Sequence, residues 1–136
     1  MKKFKVLILL VCVCLCLCGC GDKEEAGILF NHDQITKDNL MHCTRTLETG
    51  RRIYYLFYTP KKIKAEFIRI QVFKAGDNVA VGGYSIIFTQ EKRVMKQNLY
   101  SYYDNFTLHQ PGKYVMQVFD VNDITKPLAW NYFFVQ

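Results

Sequence analysis

The sequence predicts an all-β fold, a two-layer sandwich of about seven or eight strands, and three observations carry that reading. From residue 28 onward, short runs rich in Ile, Val, Tyr, Phe and Thr recur between turn-forming residues. The run from Lys64 to Lys74 alternates cleanly, with Ile68, Ile70 and Val72 on one face and Arg69 and Gln71 on the other. No stretch sustains the apolar period of a long helix.

Taken in order, the expected strands are Gly27 to Asn31, Leu40 to Glu48, Arg51 to Thr59, Lys64 to Lys74, Gly83 to Gln90, Asp104 to His109, Lys113 to Val121 and Leu128 to Val135. Turn chemistry sets their boundaries. Thr49-Gly50 lies at hairpin distance between two runs, Pro60-Lys61-Lys62 breaks the chain, Gly76-Asp77-Asn78 supplies residues tolerant of positive φ, and Pro111-Gly112 closes a corner. Arg51 to Thr59 is apolar or aromatic on both faces, as in a central strand covered on both sides or one with an exposed aromatic outer face. Residues 91–103 fit either a short helix or irregular strands crossing between sheets.

In the segment from Phe106 to Asp120, Leu108, Gly112 and Tyr114 precede the alternating Met116 and Val118. This resembles the tyrosine corner of immunoglobulin-like and fibronectin type III-like sandwiches. The resemblance implies a Tyr114 hydroxyl bonded to upstream backbone and a last strand pairing with Lys113 to Val121. It covers about thirty residues, and it implies no activity, since such sandwiches host many functions.

At the other end, Lys2, Lys3 and Lys5 precede an apolar run from Val6 to Leu17. A dozen residues is too short for the roughly 20 that span a bilayer, so this is an export signal. Leu17, Gly19 and Cys20 occupy the −3, −1 and +1 slots of a sequence that resembles the lipobox of bacterial lipoproteins. The resemblance implies diacylglycerol on the Cys20 thiol, cleavage after Gly19 and acylation of the new amino group. Two or three acyl chains anchor a protein stably where one is marginal. An ordinary secretory signal or an uncleaved anchor are the competing readings. The expected organisation is therefore a signal over 1–19, Cys20 with a short tether over 20–27, and a sandwich over 28–136. Its expected location is the bacterial envelope, on the outside of the cytoplasmic membrane or in the outer membrane. In a cell with two membranes, Gly21 in place of an Asp after Cys20 favours the outer one.

Removal of residues 1–19 leaves 117 of the 136, enough for one domain. The whole chain carries 18 basic against 12 acidic side chains; three lysines leave with the signal, so 15 remain against 12, a balance of +3. That is too little to support a nucleic-acid reading. With four cysteines removed and Cys20 lipidated, Cys43 stands alone, without a disulfide partner, and reads as a small buried hydrophobe beside Met41 and Leu47.

Motifs for chemistry are missing. The mature sequence has no Gly-rich phosphate loop, no Cys-x-x-Cys and no His-Glu-x-x-His, and no cofactor is expected. His32, His42 and His109 lack the close spacing of a metal clamp, so no metal site is expected either. Cys43 beside His42 would point to opposite strand faces, and Ser85 and Ser101 lack a nucleophile elbow. Asp120, Asn122 and Asp123 read as Asx turns, for no Gly or distal Glu follows in calcium-loop register.

Two features suit binding. Lys61, Lys62 and Lys64, with Arg51 and Arg52, are candidates for a positive edge facing anionic headgroups or an acidic partner, or for charges that guard strand edges. Tyr54 and Tyr58, among an aromatic excess that includes Tyr100, Tyr102, Tyr103, Trp130 and Tyr132, are candidates for an exposed recognition platform. The expected function is a membrane-anchored, non-catalytic binding or assembly module with an envelope partner. A small-ligand accessory protein comes second and an enzyme third. Cys20→Ala should abolish incorporation of labelled fatty acid and leave an unprocessed precursor; unchanged labelling rejects Cys20 as the anchor.

Overall fold

The structure, a computed structural model, describes residues 25–76 and 83–136. The lipobox, Cys20, most of the tether, and Asp77 and Asn78 lie outside the described residues. The strands are β1 (Gly27–Asn31), β2 (Thr46–Leu47), β3 (Arg52–Tyr58), β4 (Phe67–Ala75), β5 (Tyr84–Arg93), β6 (Ser101–Thr107), β7 (Gly112–Asp120) and β8 (Ala129–Val135). They form a three-stranded sheet ordered β1-β3-β6 and a five-stranded sheet ordered β2-β8-β7-β4-β5. Every pairing is antiparallel except that of β2 with β8. The result is a single immunoglobulin-like β-sandwich.

The core is built by alternation. Ile53, Tyr55 and Phe57 of β3 face Ile68, Ile70 and Val72 of β4 and Tyr114, Met116 and Val118 of β7, all buried. Phe133 of β8 stacks on Tyr114 with ring centroids 5.5 Å apart and reaches across to Phe30 at 4.6 Å and Phe106 at 6.0 Å. At the β5–β6 side the layers are joined by Phe88 on Phe106 and by an ion pair of 2.8 Å between Lys92 and Asp104. At the opposite side Asn131 donates to the Ile28 carbonyl at 2.7 Å. Among the described residues the buried core runs from Ile28 to Val135 and draws on both sheets.

The tyrosine corner is present: the Tyr114 hydroxyl donates to the Gln110 carbonyl at 2.7 Å, closing the β6–β7 turn. Gly112 sits at φ +148° there, where a Cβ would fall 2.7 Å from Lys74 Cε. Gly50 takes φ +77° in the turn before β3 and donates to the Leu108 carbonyl.

Three segments differ from expectation. Leu40 to Glu48 is not one strand: Leu40–His42 is a 3-10 turn, and only Thr46–Leu47 pairs. Asn39 is the cause. Its side chain accepts from the Thr36 N–H at 2.8 Å and donates to the Gln34 carbonyl at 2.9 Å, local bonds that compete with a sheet ladder. Met41 is therefore exposed and Cys43 only half-buried. The strand expected from Lys64 begins at Phe67, because the chain bends at Ala65 and Glu66 before it. Residues 91–103 divide into the end of β5, a 3-10 turn over Lys96–Asn98 and the start of β6.

Burial, with lesser help from the Asp104 carboxylate and Tyr102, holds the Tyr55 phenol far above its ordinary pKa, and burial also raises Tyr102 and Tyr114. The hydrogen bond to Asp104 raises Lys92. Unfolded tyrosine and lysine lose protons at about 10 and 10.4, so above that range the unfolded chain binds fewer protons than the folded one. Stability should be whole below about pH 10 and fall as pH rises from there toward the folded values. Denaturant midpoints measured between pH 8 and 11.5 check this, with Tyr55→Phe making the decline shallower. Tyr114→Phe should cost about 0.5–1.5 kcal/mol at neutral pH with an unchanged denaturant slope; no change in midpoint would remove the corner bond from the fold's energetics.

Candidate functional site

Because the inner faces are consumed by the core, the outer faces and the ends are what the sandwich presents to solvent. On the outer face of the five-stranded sheet, Tyr132, Val115, Phe73 and Ile86 stand side by side in one register across β8, β7, β4 and β5. Ile86 is 61% exposed and Tyr84, next along β5, 62%. Phe134 extends the apolar row at the β8 end, where Arg45 and Lys113 lie over the Tyr132 ring at 4.5 and 5.0 Å. Toward Glu91 the face turns more polar, with Trp130 as its apolar exception: Gln71 donates to Thr89, and Arg69 pairs with Glu91 at 2.8 Å. An apolar strip with a polar margin is the layout of an interface core and rim.

The sequence-predicted candidates lie elsewhere. Tyr54 and Tyr58 are on the outer face of the three-stranded sheet, Tyr54 half-buried and Tyr58 41% exposed. Tyr58 lies across Gly27 on β1, where a Cβ would fall 2.6 Å from its Cζ, so the glycine is what admits the ring. Lys61, Lys62 and Lys64 are exposed at the end of the sandwich where the chain enters β1. Ile63 and Ala65 are buried between and beside them, and this alternation turns Lys62 and Lys64 outward. Arg51 and Arg52 do not join them. They sit at the far end of β3, and Arg51 is engaged with Glu48 at 2.8 Å.

Tertiary structure adds residues to the lysine loop. An open cleft of about 1290 Å³ runs past Lys61, Lys62 and Lys64 to Lys126 and to Trp130, which is 59% exposed. A depression of about 450 Å³ beside Glu25, Tyr58, Thr59 and Pro60 continues it. Asp120 and Asp123 also line the cleft but are turned into their own loop, accepting from the backbone of Asn122 at 2.8 Å and Thr125 at 3.1 Å. These are the expected Asx turns. Bonds from the Thr125 hydroxyl and backbone lower the Asp123 pKa.

The remaining titratable candidates have structural roles. His32 Nε2 accepts from the Glu48 N–H at 2.9 Å and Nδ1 faces the Arg52 carbonyl at 3.1 Å, which pins the turn between β2 and β3. Burial raises the Cys43 thiol pKa, against an opposing hydrogen bond with Asn31, so the thiolate is disfavoured. Among the described residues no group of His, Cys, Asp or Glu is arranged to hold a metal ion, and no helix is long and apolar enough to cross a membrane.

No protein-family model matches the sequence, and no curated protein matches it. Among solved structures, the soluble domain of PmoD from Methylocystis sp. is similar, with a TM-score of 0.53, 10% identity, and coverage of 82% of this chain and 90% of that one. The alkylpurine DNA glycosylase AlkC of Pseudomonas fluorescens matches with a TM-score of 0.40 at 14% identity over 90% of this chain and 33% of the enzyme. A β-glucosidase from Kluyveromyces marxianus matches with a TM-score of 0.41 at 12% identity over 82% of this chain and 14% of the enzyme. What this chain shares with the PmoD domain is the sandwich fold.

Proposed function

We propose that the chain is a lipid-anchored envelope lipoprotein whose sandwich is a non-catalytic binding or assembly module, holding a protein partner on the outer face of the five-stranded sheet. The cross-strand row Tyr132, Val115, Phe73 and Ile86 carries this reading. Full burial of a large apolar side chain is worth about 1.5–3 kcal/mol. Several together begin to offset the roughly 4–15 kcal/mol that association costs, whereas an exposed ion pair supplies about 0–1 kcal/mol. The row, rather than the lysines, is the source of affinity for a protein. Anchoring through Cys20 holds the module at the membrane.

A photo-crosslinking side chain placed at Ile86 or Phe134 in intact cells should form an adduct with one discrete envelope protein. The same probe at Tyr103, an equally solvent-facing ring on the other sheet, should not. Ile86→Asp should remove the adduct formed from Phe134. Recovery of no partner from either face, with the purified domain instead binding a small molecule, would replace this reading with the ligand-binding one.

A further inference from the structure

Pairing registers place three loops at the end where the chain enters β1. The first runs over 59–66, the second over 94–100 and the third over 121–128. The first and second are stitched together by the Thr59 N–H to the Tyr100 carbonyl at 2.9 Å, Ile63 to Leu99 at 2.8 Å and Val94 to Glu66 at 2.7 Å, and the third is tied back to β7 by Leu128 to Val118 at 2.7 Å. Each loop carries cationic side chains. Lys61, Lys62 and Lys64 are on the first, Lys96 on the second and Lys126 on the third, and none is in an ion pair among the described residues.

The second and third loops set large apolar side chains in solvent beside those cations. Met95 and Tyr100 flank Lys96, and Ile124 precedes Lys126, all exposed. Of the acids at this end, Glu66 is paired with Arg93 at 3.0 Å and the two Asx-turn aspartates face their own backbone. Counting Glu25, six basic side chains stand against four acidic ones.

We infer that this end is a membrane-docking surface, with the lysines on anionic lipid headgroups and Met95, Tyr100 and Ile124 entering the interfacial layer. Lysine beside exposed apolar and aromatic side chains is what a bilayer interface selects. The reach of the chain favours a lipid surface over an acidic protein. Only the seven residues from Cys20 to Ala26 separate the expected lipid attachment from β1, at most about 25 Å of extended chain, so an anchored domain presents this end to the bilayer. In this respect the inference rests on the anchoring reading. It also leaves the apolar row on the outer sheet face pointing sideways, free for a partner.

The test uses residues 25–136, which contain both sheets and the core between them and carry no lipid, with vesicles of phosphatidylglycerol and phosphatidylethanolamine at low salt. Trp130, the single tryptophan, lines the cleft at this end and is the reporter. The domain should sediment with these vesicles, its emission should shift to shorter wavelength, and brominated lipid should quench it. Each lysine near an anionic surface contributes about fivefold to partitioning. The triple variant Lys62→Glu, Lys64→Glu, Lys126→Glu should therefore lose on the order of 100-fold or more. Met95→Ser with Ile124→Ser should weaken binding that persists in high salt. Arg45→Glu with Lys113→Glu, at the opposite end, should change partitioning far less. Equal binding to phosphatidylcholine vesicles, no binding to anionic ones, or equal loss in the Arg45 and Lys113 variant overturns the inference. Fatty-acid labelling of Cys20 reads the anchor separately: success there with failure on vesicles removes this surface alone, and the reverse result removes the anchor alone.

Discussion

Phe133 is the contact on which the two layers depend. It belongs to the five-stranded sheet, stacks on Tyr114 within that sheet, and touches Phe30 and Phe106 of the other. Phe106 in turn meets Tyr55 beside it and Phe88 across the gap, so one connected set of rings runs between the layers from β1 to β5. Rings at 4.6 to 6.0 Å fill the space between sheets while each strand keeps period-2 alternation. Once inner positions are committed in this way, residues of opposite parity such as Tyr132 and Phe134 must face outward, and Ile86, which shares the parity of the inward Phe88, is turned outward by the register shift between Val72 and Phe73.

Those outward residues are unevenly distributed. Polar cross-strand pairs such as Arg69–Glu91 and Gln71–Thr89 protect one part of the five-stranded sheet, and the apolar row occupies another. The edge strand β5 is interrupted by a register shift opposite Val72 and Phe73, a bulge that discourages open-ended pairing with other strands. The cationic end lies at the ends of the strands and not on that face, so the two proposed surfaces are separate.

Much of the fold was legible in the sequence because alternation and turn chemistry are local. Ile68, Ile70 and Val72 are buried as their spacing requires, and Leu108, Gly112 and Tyr114 form the corner that they resemble. Leu40 to Glu48 misled because its apolar residues suit a strand, while the competing bonds come from the single side chain of Asn39 upstream. In the same way, the basic residues near β3 looked like one cluster by adjacency in sequence. A seven-residue strand separates Arg51 and Arg52 from Lys61, Lys62 and Lys64 by about 20 Å, at roughly 3.3 Å per residue.

Local sequence determined most of the strand-forming runs, their inner and outer faces away from the β5 bulge, the corner at Tyr114 and the lysines of the 61–64 loop, because each depends on residues within a few positions of one another. Tertiary structure alone decided which outer faces meet. The row Tyr132, Val115, Phe73 and Ile86 draws one residue from each of four strands, and its alignment is set by backbone register between segments distant in the chain. Lys96 and Lys126 joined Lys61, Lys62 and Lys64 for the same reason: the sandwich brings three loops to one end, and no local pattern records which loops share it.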